Sequence, residues 1–285
     1  MRSYLPHYEL RAPKDMTQIL GLLAEGEWRP FAGGTDLMVL FESGKLARGK
    51  YVSLWGLKEL SGIEVTPDAV TLGALTTYTD VLAHRVLQSE FPLLCRAAAE
   101  TGGLATQNRG TLGGNIANAS PAADSPPALL IYDAQLELIS VRGTRQVPYD
   151  RFHTGYKRMD LRPDEIIRSL TLPRGRGPWR QTYRKVGTRR AQAISKVCFA
   201  AAADMDGAIV RDIRIALGSV APVVTRCVRA EDAVRGRRVD AKALETARRA
   251  LAEDIAPIDD LRSTAEYRLR VAGNLLLQFL SEHTS

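Results

Sequence analysis

The sequence lacks the residue sets from which metal centres and disulfide frameworks are built. Its three cysteines, Cys95, Cys198 and Cys227, stand far apart and form no CxxC pair. That excludes a zinc site or an iron–sulfur cluster assembled by this chain alone. The four histidines, His7, His84, His153 and His283, show neither metal spacing nor a triad arrangement. GxSxG and HExxH are both missing, so hydrolase chemistry has no motif. No stretch approaches the roughly 18 apolar residues of a membrane span. Met1 to Leu10, with Arg2, Pro6, His7 and Glu9, has no signal-type apolar run. These absences lead to the expectation of a cytoplasmic protein whose cysteines stay reduced. Internal repeats and low-complexity tracts are also missing.

What is present is ordinary globular composition: 285 residues, 45% hydrophobic and 25% charged. That length suits one large domain or two smaller ones, with enough core to fold without staples. The net charge is +7, and Arg235, Arg237 and Arg238 cluster. Charge runs are usually solvated surface, and the excess also suits an anionic ligand or an acidic partner subunit. We expect no nucleic-acid binding.

Met16, Ile19, Leu20 and Leu23 recur at helical spacing, with Gly26 as a stop. Arg29 to Leu40 reads as strand, glycine turn and apolar run. Val70, Leu72 and Ala74 alternate as a strand, Tyr78–Gln88 and Phe91–Glu100 read as helices, and Leu136–Val141 reads as a strand. The Gly- and Pro-rich segment from Pro173 to Pro178 marks a boundary, giving domains over 1–175 and 178–285. Beyond it, Ile213, Ile215 and Leu217 alternate with Arg214 and Ala216, an antiparallel strand with one wet face. Asp240 is a cap for a helix carrying Ala243, Leu244, Ala247 and Leu251. Ser263 and Glu266 make a capping box for a last helix bearing Ala272, Leu275, Leu276, Phe279 and Leu280. The class is α+β, without regular βαβ repetition.

Two glycine turns carry the chemistry: Phe31-Ala32-Gly33-Gly34-Thr35-Asp36-Leu37 and Gly110-Thr111-Leu112-Gly113-Gly114-Asn115-Ile116. Successive amides in a tight turn converge on anionic oxygens, and glycine removes the Cβ that would hold a diphosphate away. Thr35, Thr111 and Asn115 add side-chain donors. A single Gly-Gly pair is more often an ordinary loop. Neither segment is GxGxxG opening a helix, nor a P-loop, so Rossmann and P-loop sites are disfavoured.

The segments Ala32–Leu37 and Thr111–Asn115 resemble the two FAD-diphosphate loops of the flavoprotein subunits of molybdenum hydroxylases, such as the carbon monoxide dehydrogenase medium subunit and the bacterial xanthine dehydrogenase FAD subunit. The resemblance continues through Ile116–Asp124, Tyr183–Val186, Ala193–Val197 and Ser263–Arg268, in order over nearly the whole chain. It implies a two-lobed FAD-binding domain of the vanillyl-alcohol oxidase (PCMH) type, followed by a small α+β domain of antiparallel sheet and helices. It also implies noncovalent FAD, because Thr35 stands where covalent flavoproteins commonly place histidine. The implied role is an electron-transfer subunit without catalytic side chains or metal of its own. Electrons would come from a small 2Fe–2S subunit, reduced in turn by a large molybdopterin subunit, in a dimer of heterotrimers.

By the same resemblance the FAD contacts are Ala32, Gly33, Gly34, Thr35, Asp36, Leu37, Thr101, Thr111, Leu112, Gly113, Gly114, Asn115, Asp124, Ile167 and Lys185. Ile167 and Thr101 would lie at the flavin ring, with Lys185 as a neighbouring cation. Taken without it, Asp36 reads as a cap pointing away from phosphate, Ile167 as core and Lys185 as surface. Asp124 reads without it as a cap before Pro126-Pro127, whereas the resemblance makes it a hydrogen-bond partner of FAD. One departure stands out: many relatives have Ile-Arg-Asn where this chain has Thr106-Gln107-Asn108, leaving open what that segment contacts. Competing readings are a stand-alone flavin oxidoreductase acting on its own substrate and a basic binding protein without redox function.

Overall fold

The computed structural model describes residues 8–47, 49–175, 177, 179–189 and 192–282. His7, His283, and Arg176 and Pro178 of the expected boundary lie outside the described residues. The class is α+β, as expected, with three main sheets.

The first sheet is small and parallel. β1 (Tyr8–Arg11) and β2 (Trp28–Phe31) flank β3 (Gly49–Ser53). Parallel neighbours need crossovers, supplied here by α1 (Met16–Ala24) and α2 (Leu37–Glu42). Asp15 caps α1 by accepting from the Gln18 amide at 2.8 Å, and the helix buries Ile19, Leu20 and Leu23 on the expected face. The first glycine segment is the connection leaving the carboxyl end of β2, the edge where open parallel sheets receive ligands.

The second lobe is an antiparallel sheet ordered β4 (Ile63–Val65), β5 (Ala69–Gly73), β10 (Ile166–Pro173), β6 (Gln135–Ser140), β7 (Gly143–Pro148). Around it pack α3 (Tyr78–Ala83), α4 (Arg85–Glu90), α5 (Pro92–Glu100), α6 (Leu104–Arg109), α7 (Leu112–Ala117), α8 (Pro126–Ile131) and α9 (Tyr149–Phe152). A short hairpin, β8 (His153–Gly155) with β9 (Arg158–Met159), follows α9. The helix expected over Tyr78–Gln88 breaks at His84, whose backbone is extended. Gln88 Nε2 donates to the Leu82 carbonyl freed by the break, at 2.6 Å.

The third sheet is antiparallel, β11 (Arg180–Val186), β12 (Val197–Asp206), β13 (Ile209–Gly218) and β14 (Thr225–Arg226). It is backed by α10 (Val228–Val234), α11 (Ala241–Asp254) and α12 (Ala265–Ser281). Here an expectation is corrected: β13 has no wet face at its middle. Ile213, Ile215 and Leu217 face the helices, while Ala216, Ala200, Ala202 and Cys198 join the core of the second lobe. The covering element is α8, apolar on every side and buried at every residue, as an all-round hydrophobic helix must be. Arg214 is half-buried and pairs with Asp133. Each large aliphatic side chain closed into such a core contributes about 1.5–3 kcal/mol relative to exposure.

Asp240 caps α11 as expected, accepting from the Ala243 amide at 2.8 Å. The cap of α12 is Thr264, not Ser263; it accepts from Tyr267 N at 3.2 Å, while the Ser263 amide is held by Asp260. The basic run is partly neutralised, with Arg235 in ion pairs with Asp212, Glu231 and Asp232. No helix among the described residues is long and apolar enough to cross a membrane.

Candidate functional site

The two glycine segments meet. A Cβ built on Gly33 would lie 1.8 Å from the Arg109 carbonyl oxygen, just ahead of the second segment, and one on Gly114 would lie 3.9 Å from the Ala32 Cβ. Between them opens a cleft of about 530 Å³. Ala32, Gly33, Gly34, Thr35, Asp36 and Leu37 border it from the first segment, and Thr111, Gly113, Gly114 and Asn115 from the second. Thr101, Asp124 and Ile167 also border it. Leu112 and Lys185 do not. Leu112 is fully buried in the core beneath, and the Lys185 ammonium lies against Asp124 and the Glu100 carbonyl.

The segments differ in kind. The first is an open connection in which Gly34 takes φ +78°, a backbone region that favours glycine. Among the described residues, no group accepts from the amides of Gly33, Gly34 or Thr35. The second is not a turn: Leu112–Ala117 is helix α7, capped by Thr111, whose hydroxyl accepts from Gly114 N at 3.1 Å. Its Leu112 and Gly113 amides donate to Thr76 and Ala74 carbonyls at 3.0 and 2.9 Å, and its Asn115 amide to Thr111 O at 2.9 Å. Gly113 is glycine because a Cβ would stand 2.6 Å from that of Ala74. The free main-chain donors therefore belong to the first segment, and the second supplies a close, Cβ-poor wall and the Asn115 side chain.

Asp36 sits before α2 but makes no capping bond, contrary to its sequence reading. Its carboxylate instead accepts from Asn118 Nδ2 across the cleft mouth. Asp124 is not the α8 cap either, since that position is Ser125. Its Oδ2 accepts from Lys185 Nζ at 2.7 Å, with both side chains at most 10% exposed. Burial pushes the Asp124 carboxyl up to about 6, against the pull of Lys185. Its other oxygen, Oδ1, is buried without a partner while its residue borders the cleft. A buried acceptor left unmade costs about 1–3 kcal/mol, a cost that a donor placed in the cleft beside Oδ1 would relieve.

Ile167 lies in β10 beside a register shift between Ile167 and Ser169. Such bulges re-aim side chains, and both Ile166 and Ile167 reach the cleft. Gln107 is buried and donates through Nε2 to the carbonyls of Ala99 (3.0 Å) and Thr101 (3.2 Å). In this chain, then, that position secures the end of α5 at the cleft edge. Arg109 stacks over the Trp55 ring at 3.5 Å.

The connection between β11 and β12 borders the cleft through Ala193 and Ile194. Ser195 Oγ donates to Ala122 O at 3.2 Å, Ser219 N to Pro121 O at 2.8 Å, and Arg268 Nη1 to Ser219 O at 2.7 Å. The end of the Ser263–Arg268 stretch thereby reaches the cleft wall through hydrogen bonds. Sequence reasoning missed Tyr78, Asn118, Glu165 and Ile194 as lining residues. Asn118 and Ile194 lay inside stretches already singled out; Tyr78 and Glu165 gave no local signal. Glu165 is held by Arg145 at 2.8–2.9 Å, which lowers its pKa. Among the described residues, no group of His, Cys, Asp and Glu could hold a metal.

The family model "FAD binding domain in molybdopterin dehydrogenase" matches residues 6–175, and "CO dehydrogenase flavoprotein C-terminal domain" matches 181–283. The xanthine dehydrogenase FAD-binding subunit of Escherichia coli O157:H7 is 32% identical over 270 residues, covering 94% of this chain and 92% of the relative. Carbon monoxide dehydrogenase from Hydrogenophaga pseudoflava superimposes with TM-score 0.93 at 28% identity, over 98% of both chains. Quinoline 2-oxidoreductase from Pseudomonas putida 86 superimposes with TM-score 0.91 at 25% identity, over 99% of this chain and 98% of the other.

Proposed function

The chain belongs to the family of FAD-binding subunits of molybdopterin dehydrogenases, and from that premise we propose that it holds FAD noncovalently in this cleft and serves as the electron-transfer subunit of an oxidoreductase complex. When bound, FAD would supply the redox chemistry of electron transfer to an external acceptor. The chain's residues hold and orient it.

The observation that carries the reading is the meeting of the two glycine segments across one cleft. The free amides of Gly33, Gly34 and Thr35 are donors for a diphosphate, with Ala32, Asp36 and Leu37 completing that loop. Thr111, Gly113, Gly114 and Asn115 form the facing wall. Asp124 offers its unpartnered oxygen, and Thr101 and Ile167 offer surface for the ring. Leu112 and Lys185 act from behind, the first as support and the second by fixing Asp124. Thr35 stands where covalent flavoproteins commonly place histidine, which supports noncovalent binding.

Within the complex the expected partners are a small 2Fe–2S subunit and a large molybdopterin subunit, arranged as a dimer of heterotrimers. The chain itself would divide into domains over 1–175 and 178–285. An absorption spectrum of the purified chain tests the reading. Flavin bands, with free FAD released on denaturation, support it; a colourless chain that takes up no added FAD overturns it.

A further inference from the structure

Neither glycine segment contains a cation, and Asp36 places a carboxylate on the cleft wall. Main-chain amides can hold an anion there without a cation, but the Asp36 carboxylate opposes it, and a nearby positive charge would offset that opposition. The hairpin β8–β9, outside both segments, brings one. Lys157 at its tip has φ +54°, uncommon for a residue with a side chain. Its ammonium donates to the Asn118 carbonyl at 2.6 Å and to Asn118 Oδ1 at 2.8 Å. Asn118 Nδ2 in turn donates to Asp36. Both oxygens and the amide nitrogen of Asn118 are thus engaged, which fixes the orientation of a side chain in the cleft wall. From the same hairpin, His153 Nε2 lies 2.9 Å from the Ile116 carbonyl, so the hairpin grips the end of α7 at two points.

We propose that Lys157 belongs to the diphosphate site: its ammonium offsets Asp36 and, through Asn118, locks the first glycine segment to the second. This rests on the FAD reading above. The chemistry recognised is that of an anionic diphosphate, since a fixed cation acts on charge rather than on a ring. Lys157 is exposed, so its effect runs through solvent and is screened by salt. A purely mechanical clamp would show no such dependence. Lys157 touches Asn118 rather than the cleft itself, and is therefore a positioning residue.

The test is FAD titration of wild-type chain, K157M and K157R at about 50 mM and about 500 mM salt, where the screening length falls from roughly 14 to 4 Å. We expect K157M to bind FAD about tenfold more weakly at low salt, a change of ~1.4 kcal/mol. The gap should narrow at high salt, and K157R should bind nearly as wild type. A K157M affinity equal to wild type, or a loss that salt leaves unchanged and K157R does not restore, overturns the proposal while leaving the FAD reading intact. A wild-type chain that binds no FAD overturns both.

Discussion

Gly33 stands against the carbonyl oxygen of Arg109 so closely that a Cβ on it would lie 1.8 Å from that atom. The contact joins the connection after β2 to the residue before the second glycine segment. It makes the space between them a cleft with two fixed sides.

From this follows the behaviour of G33A. The added methyl must push backbone, not a flexible side-chain end, and overpacking of this kind costs about 1–3 kcal/mol. We predict a lowered melting temperature and at least about a tenfold loss of FAD affinity. A variant that melts and binds like wild type would show that the segments separate freely.

Asp124 gives an unusual pH dependence. Its carboxyl is pushed up to about 6 in the folded chain, above its ordinary value near 3.9. Its contribution to stability is therefore fully present below about pH 4 and is lost as pH rises through about 6. D124N cannot titrate. The stability of wild type minus that of D124N should shrink between pH 4.5 and 7.5 in urea unfolding; a difference that grows over that range contradicts the assignment.

Glu165 has the opposite sign. Arg145 lowers its pKa through two hydrogen bonds, so its contribution is present above about pH 4.5 and is lost as pH falls through the depressed value. E165Q should cost about 1.5–3 kcal/mol at neutral pH, typical of a charge-assisted bond. The cost should fade on acidification. Chemical denaturation at pH 7 and pH 3.5 decides it, and a pH-independent cost would assign Glu165 a packing role instead.

Gln107 binds two carbonyls at the end of α5. Q107L keeps much of the volume and leaves both acceptors without that donor, for a predicted loss of about 1–3 kcal/mol. Because Thr101 borders the cleft, FAD affinity should fall as well. Unchanged affinity in a destabilised variant would detach this residue from the site.

Much of the site was legible because glycine is conspicuous: Gly33, Gly34, Gly113 and Gly114 mark close backbone approach wherever they stand. What they approach was not legible. Gly113 sits in a helix despite poor helix propensity, and the reason, Ala74, lies far back in the chain. Asp36 and Asp124 read as caps from their neighbours, but their partners Asn118 and Lys185 arrive from distant elements. Lys157 reaches Asn118 across 39 residues, with no periodicity to announce it. The alternation in β13 gave the strand but not its burial, because Ala216 fits a wet face and a packed one equally and only α8 decides. The expected domain boundary came from the Gly- and Pro-rich segment at Pro173, and the identity of each domain from resemblance along the full chain rather than from any one motif.

The central claim is that the amides of the first glycine segment hold FAD. Residue-resolved amide exchange with and without FAD tests it most directly. The account predicts that FAD slows exchange at Gly33, Gly34 and Thr35, which have no acceptor among the described residues. Gly113 and Gly114, already bonded to Ala74 O and Thr111 Oγ1, should change little. FAD binding that leaves Gly33–Thr35 exchanging as before would contradict it.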